Sequence, residues 1–191
     1  MSASLLDELH VQAVQKLKDK RQSKNMDAEI FVVDDEQIVI DTLSYYLSKA
    51  GFENIHGFSS STEAIDTLRF IQPSIILTDI HMPDVSGSFL TRLIRTFSHL
   101  KSVPIVVVTS DKRPETAEAI IAKGADSVLV KPVKEEDFIK HVKQTLKKSA
   151  MLKELVTAAE QELQESEEQK RQWNAAAIRI NESNLRDLYR K

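Results

Sequence analysis

Ser74-Ile75-Ile76-Leu77-Thr78-Asp79 runs into Ile80-His81-Met82-Pro83-Asp84-Val85-Ser86-Gly87, and this stretch decides the fold. A β-branched, apolar run of this length closed by Pro, Asp and Gly reads as a central strand of a parallel sheet. In open α/β sheets, ligands gather beyond the carboxyl ends of such strands, so Asp79 stands where chemistry is expected. By itself it also has a bland explanation, because Asp is a common turn and cap residue. Its weight depends on what the rest of the chain brings to the same rim.

On both sides of this strand, between Glu29 and Lys148, short β-rich runs alternate with helical stretches. The runs are Ile30 to Val33, Ile55 to Gly57, Ser74 to Thr78, Ile105 to Thr109 and Ser127 to Val130. The third and fourth are continuously apolar and lack a period of two, which means burial on both faces. The expected class is α/β: a doubly wound, five-stranded parallel sheet covered by helices, in which the first and third strands are neighbours. All four glycines and all five prolines lie between Gly51 and Pro132. The flanks therefore contain no helix breakers.

Three segments follow from this pattern: residues 1–27, 28–149 and 150–191. The first places Leu5, Leu6, Leu9, Ala13 and Leu17 on one helical face before a polar linker, an amphipathic helix in need of a partner. In the second, Ile139, Val142 and Leu146 turn the last helix toward the sheet. The same helical composition then continues to Lys191, and an unbroken helix from Glu135 would extend about 80 Å at about 1.5 Å per residue. Val156, Ala159, Leu163, Trp173, Ala177 and Ile180 fit an a/d spacing, but Ser166 and Lys170 share that seam, and Leu185 and Leu188 fall out of frame. Two short contact patches on either side of a polar interruption at Glu165 to Gln172 are expected, forming a coiled-coil-like extension.

Composition narrows the partners. The 191 residues are 41% hydrophobic and 29% charged with a formal net charge of -3, which gives no electrostatic case for nucleic acid or an anionic membrane surface. Cysteine is absent, which excludes disulfides and thiolate metal sites. The acidic Asp7, Glu8 and Asp19 interrupt any signal-peptide core, and no run is long enough to span a bilayer, so the cytoplasm is the expected compartment.

Chemistry concentrates at strand ends. The first strand ends in Asp34-Asp35-Glu36, the fourth in Thr109-Ser110 and the fifth in Lys131-Pro132. Asp34 and Asp35 would approach Asp79 across neighbouring strands, and three converging carboxylates repel unless a proton or cation intervenes. An all-oxygen set completed by water suits Mg²⁺. Capping of the helix near Gln37 would account for one of these acids but not for the pair. Lys131, at the end of an apolar strand, needs an anion to receive it.

With these markers in register, the chain from about Ala28 to Lys148 resembles the receiver domain of two-component response regulators. The acid pair Asp34 and Asp35, then Asp79 followed by Met82-Pro83 and Gly87, then Thr109 and Lys131-Pro132 carry the likeness. The resemblance implies a flavodoxin-like strand order 2-1-3-4-5, with Asp79 as phosphoacceptor. It implies Mg²⁺ held by Asp34, Asp35, Asp79 and the His81 backbone carbonyl, with Asp34 acting largely through water. Thr109 and Lys131 would contact the phosphoryl oxygens. The donor would be a phosphohistidine on a sensor histidine kinase or phosphotransfer protein. The chain would then be a switch, and not an enzyme beyond its own phosphotransfer and autodephosphorylation.

Departures from the pattern matter too. Val128 stands where such domains often carry a switching aromatic, which shifts the expected output toward the last helix. His81 and Asp111 occupy the positions that the resemblance associates with tuning phosphate lifetime. His10, His56, His99 and His141 show no ligand spacing, and no histidine beyond His141 could make the tail a phosphodonor. Helix-mediated homodimerisation, or coupling to an output domain, is the expected output. Three other readings compete. A phosphohydrolase of the haloacid dehalogenase type wants an Asp where His81 stands, and a flavodoxin-like cofactor binder wants a phosphate loop where Asp34-Asp35-Glu36 stand. The third is a constitutive coiled-coil adaptor.

Overall fold

The computed structural model describes residues 27–188, with side chains described as far as residue 173. The expected amphipathic helix over Leu5 to Leu17 lies outside the described residues. Five parallel strands form one sheet: β1 (Ile30–Val33), β2 (Ile55–Phe58), β3 (Ile75–Thr78), β4 (Ile105–Thr109) and β5 (Ser127–Val130). Their order is β2-β1-β3-β4-β5, as expected from the sequence. The third strand starts one residue later than its composition suggests and the second ends one residue later, ordinary scatter at element ends.

Alternation along the strands divides the core. Ile30, Val32, Ile75, Leu77, Val106 and Val108 face one layer, where they pack on Ile40, Leu43 and Leu47 of α1 (Gln37–Lys49) and on Phe138 and Val142 of α5 (Glu135–Leu188). Phe31, Val33, Ile76 and Ile105 face the other. There they meet Ala64, Ile65 and Leu68 of α2 (Ser61–Leu68), and Leu90 and Ile94 of α3 (Gly87–Ile94). A third cluster joins Ile80, Val107 and Ala125 to Ile120 of α4 (Pro114–Ala122). β1, β3 and β4 are buried along their whole length, the physical meaning of their unbroken apolar runs.

Local chemistry sets the helix ends. Ser60 and Ser86 accept from the Glu63 and Phe89 amides and cap α2 and α3. Gly124, at φ +108°, closes α4 with a conformation that a side chain would resist. Arg95, just past α3, donates to the Gly124, Leu100 and Val103 carbonyls and to Asp126. Burial pulls its guanidinium below the ordinary arginine range, against the pull of Asp126.

The chain separates into two compact units after Ser149. The second begins within α5, which continues as one helix to Leu188. The polar stretch Glu165 to Gln172 is thus a change of surface and not a break in the backbone. Every described residue from Met151 to Trp173 is exposed.

Candidate functional site

Sheet register assembles the site. Val33 pairs with Thr78, so Asp34 and Asp79 emerge side by side one residue beyond the ordered strands. Thr109 pairs with Val130, which places Lys131 one step past the threonine. Residues 34, 79, 109 and 131 thereby reach one rim from four strands. Lys131 Nζ donates to Asp34 Oδ2 at 2.6 Å and lies 3.6 Å from Asp79 Oδ1. The peptide between Lys131 and Pro132 is cis.

These charges sit in a poor solvent for them. Asp34, Asp79 and Thr109 are 2%, 5% and 1% exposed. Burial pushes the Asp34 carboxyl above its ordinary range, while the Lys131 hydrogen bond and the Glu36 amide act in the opposite direction. Asp79 Oδ2 accepts from the His81 amide at 2.8 Å, whereas Asp79 Oδ1 is buried without a hydrogen-bond donor. Leaving such an oxygen unpaired costs about 1–3 kcal/mol, so its environment is built for something besides stability.

Asp35 lies on the solvent side of this rim. It is exposed beside the buried Asp34, as expected when successive residues of an extended segment point opposite ways. Among the described residues, no three His, Asp or Glu side chains gather at metal-holding spacing. Of the three expected carboxylates, Lys131 contacts two, Asp34 and Asp79. The donor set still fits a hard divalent cation, because two buried carboxylates and one oxygen lacking a donor are oxygen ligands of the kind such ions take.

Two loops frame this rim. In the β3–α3 loop, Asp84 accepts from the Ser60 and Ser61 hydroxyls and the Thr62 amide at the N-terminus of α2, and from the Val85 amide. The Ser61 hydroxyl, foremost among these donors, holds the Asp84 carboxyl well below the usual carboxylate range. Gly87 lies so close beneath the site that an added Cβ would overlap the Asp79 carbonyl oxygen. In the β4–α4 loop, the Asp111 amide donates to Thr109 Oγ1, and the Asp111 carboxylate accepts from Arg113 and from Thr116 Oγ1. Arg113 keeps that carboxyl well below its usual range. His81 Nε2 lies 3.7 Å from Asp111 Oδ2, so the two loops approach each other near Asp79.

A family model described as the response regulator receiver domain matches residues 30–143, more than half of the chain. The chain belongs to that family. A curated relative, the polar-differentiation response regulator DivK of Brucella ovis, is 28% identical over 121 residues, 63% of this chain and 98% of the relative. Chemotaxis response regulator CheY4 of Vibrio cholerae is similar in structure, at TM-score 0.59 and 28% identity, covering 62% of this chain and 98% of that one. The fold also matches the receiver domain of sensor histidine kinase PA1611 from Pseudomonas aeruginosa at TM-score 0.58 and 22% identity, covering 62% of this chain and 97% of that one. That structure holds a magnesium ion coordinated in its active-site cleft.

Membership in the receiver family sets aside the phosphohydrolase and flavodoxin-like cofactor readings. Within this receiver domain, Val128 packs partly buried against Ile80, Val107, Ile120 and Ala125. The remaining histidines have structural partners: His56 contacts Glu29, His99 the Leu68 carbonyl and His141 the Ser127 hydroxyl. Burial pulls the His141 imidazole below its ordinary range. His10 lies outside the described residues. Sequence reasoning missed Asp84, whose partners at α2 lie 22 to 24 positions earlier, and Arg113, which fixes Asp111. An acidic residue directly after Met82-Pro83 and a basic one two positions after Asp111 were the available signals. No helix among the described residues is long and apolar enough to cross a membrane.

Proposed function

We propose that Asp79 accepts a phosphoryl group from a phosphohistidine donor, and that this receiver domain passes the event to helix-mediated association. The observation that carries the reading is Asp79 Oδ1: a buried carboxylate oxygen without a donor, beside Lys131 and Asp34. Receiver domains pair with sensor histidine kinases, and such a kinase or a phosphotransfer protein is the expected partner.

The chemistry suits these residues. An Asp79 oxygen attacks phosphorus in line, the new O–P bond forms as the donor N–P bond breaks, and the imidazole leaves with a proton from solvent. The His81 amide holds the second Asp79 oxygen and so orients the nucleophile. Lys131 is the cation positioned to meet the equatorial phosphoryl charge, and transfer of that charge onto Asp79 competes with Asp34 for it. Thr109 contributes a hydroxyl, at present accepting from the Asp111 amide. A magnesium ion would be held by Asp34, Asp79 and the His81 carbonyl, with Asp35 reaching it from the exposed side; bound there, it would neutralise carboxylates and a phosphoryl oxygen.

Phosphorylation replaces the single negative charge of the Asp79 carboxylate with a phosphoryl group carrying roughly two, next to Thr109 and Lys131. Drawing Thr109 Oγ1 inward breaks its bond to the Asp111 amide and loosens the loop held by Arg113 and Thr116. His81 and Asp111, facing one another near Asp79, are the residues positioned to set the lifetime of the acyl phosphate. Val128 offers little surface for a swinging gate, so the output is assigned to the last helix and residues 150–191. Residues 28–149 form the phosphoacceptor part of this reading, and residues 1–27 a further association element. The compartment assigned is the cytoplasm, with no nucleic-acid or membrane partner.

Acetyl phosphate labelling in the presence of magnesium tests the assignment. The unaltered chain should take up acid-stable, hydroxylamine-labile label, and Asp79→Asn should take up none. Label retained in Asp79→Asn would overturn it.

A further inference from the structure

The last helix carries a pattern that self-association alone does not explain. From Lys140 to Lys153 every charged residue is basic, and from Glu154 to Gln169 every charged residue is acidic. Segregation of this kind has little use within one helix. Pairs that support a helix lie three or four positions apart, and Lys147, Lys148 and Lys153 have no acidic residue at those distances. The apolar side chains are left to solvent as well: Leu152, Leu155, Val156 and Leu163 are 53%, 65%, 55% and 62% exposed. With Ala159 they form one stripe along the helix.

We infer that a second copy of this chain covers that stripe, and that the two helices pair antiparallel across Lys147 to Glu168. The inference rests on the association reading above and adds its direction. In a parallel, in-register pair each charge block meets itself. With Val156 and Leu163 at a and Ala159 at d, Lys148 faces Lys153 of the second copy and Glu162 faces Glu167, and like charges at these flanking positions oppose pairing. Reversing one helix lays the basic block on the acidic one. Leu152 then lies opposite Leu163 and Val156 opposite Ala159, and because e faces e and g faces g in an antiparallel pair, Lys153 flanks Glu160 while Lys148 flanks the uncharged Gln169. One register satisfies the apolar stripe and sets no like charges together at these flanking positions, over about three heptads.

Direction can be read by cross-linking, because the natural chain has no cysteine. Full chains carrying Leu152→Cys and Leu163→Cys are mixed and oxidised, and after tryptic cleavage at Lys148, Lys153 and Lys170 the linked peptides 149–153 and 154–170 are resolved by mass. Antiparallel pairing gives the mixed 152–163 disulfide, with little self-linked product from either chain. Self-linked products of both chains without the mixed one would overturn the direction and leave association standing. A monomer by light scattering at every concentration would overturn association too, and a dimer that yields no disulfide at either position would place the interface elsewhere. A second measurement guards against weakening by the cysteines. Lys147→Glu, Lys148→Glu and Lys153→Glu combined should raise the dimer dissociation constant roughly tenfold or more, and the unaltered dimer should weaken with salt. Parallel pairing predicts no such rise, since like would still face like; an unchanged constant would therefore count against the proposal.

Discussion

The strand-end rim and the stretch from Met151 to Trp173 handle their difficult groups in opposite ways. At the rim, charges are answered from within the chain: the buried Asp34 by Lys131, the exposed Asp84 by Ser60 and Ser61, and the half-buried Asp111 by Arg113 and Thr116. Along the second stretch, apolar residues and sorted charges face solvent. The difference separates what needs only folding from what needs a second molecule. A self-contained site can be phosphorylated by one chain, whereas a helix with an uncovered stripe gains its stability from a partner.

Substitutions can break that contrast, and unfolding free energy gives a common scale. Lys131→Met should do most. It leaves Asp34 buried without its cation, costing about 3 kcal/mol at neutral pH in urea unfolding, and should slow acetyl phosphate labelling about 100-fold. The pH dependence has a fixed sign. Asp34 titrates higher folded than unfolded, so the native state holds the extra proton and stability falls as pH rises from the ordinary carboxylate range to the raised folded value, then levels. Removing Lys131 removes a lowering influence and should widen that window, measured by urea midpoints across a pH series.

Gly87→Ala comes next, at about 2 kcal/mol, because the new Cβ meets the Asp79 backbone and not a movable side chain. Labelling should fall with it. Asp84→Ala should cost about 1 kcal/mol, given its exposure and its capping contacts at α2. Here the pH sign is opposite: the depressed Asp84 contributes stability above the ordinary carboxylate range that is lost as pH falls toward its folded value. The alanine variant should lack that acid-side loss. Val128→Ala should cost less than about 1 kcal/mol and leave phosphorylation-dependent assembly intact in light scattering. Loss of assembly would return the switch to that position.

The smallest effect sharpens the contrast most. Leu152→Glu with Leu163→Glu should change receiver unfolding by no more than about 0.5 kcal/mol, since both side chains are exposed, yet abolish self-association. A large loss of receiver stability would mean that the two stretches are not independent in the way proposed.

Sequence by itself determined the sheet and its rim. Short apolar, β-branched runs bounded by turn residues read as strands of one parallel sheet, and residues closing such runs surface at one edge, so Asp34, Asp79, Thr109 and Lys131 were legible together. It also specified the long helix, because no breaker follows Pro132. Only tertiary structure decided which carboxylate received Lys131. Asp34 and Asp35 are equivalent in a string of letters, but strand alternation buries one and exposes the other, and Lys131 reaches the buried one across 97 positions of chain. The same holds for Asp84, a turn residue until folding sets it against the first residues of α2, and for the Asp79 oxygen left without a donor. Hydrogen bonds between distant segments depend on side-chain direction in three dimensions, which periodicity along the chain does not encode.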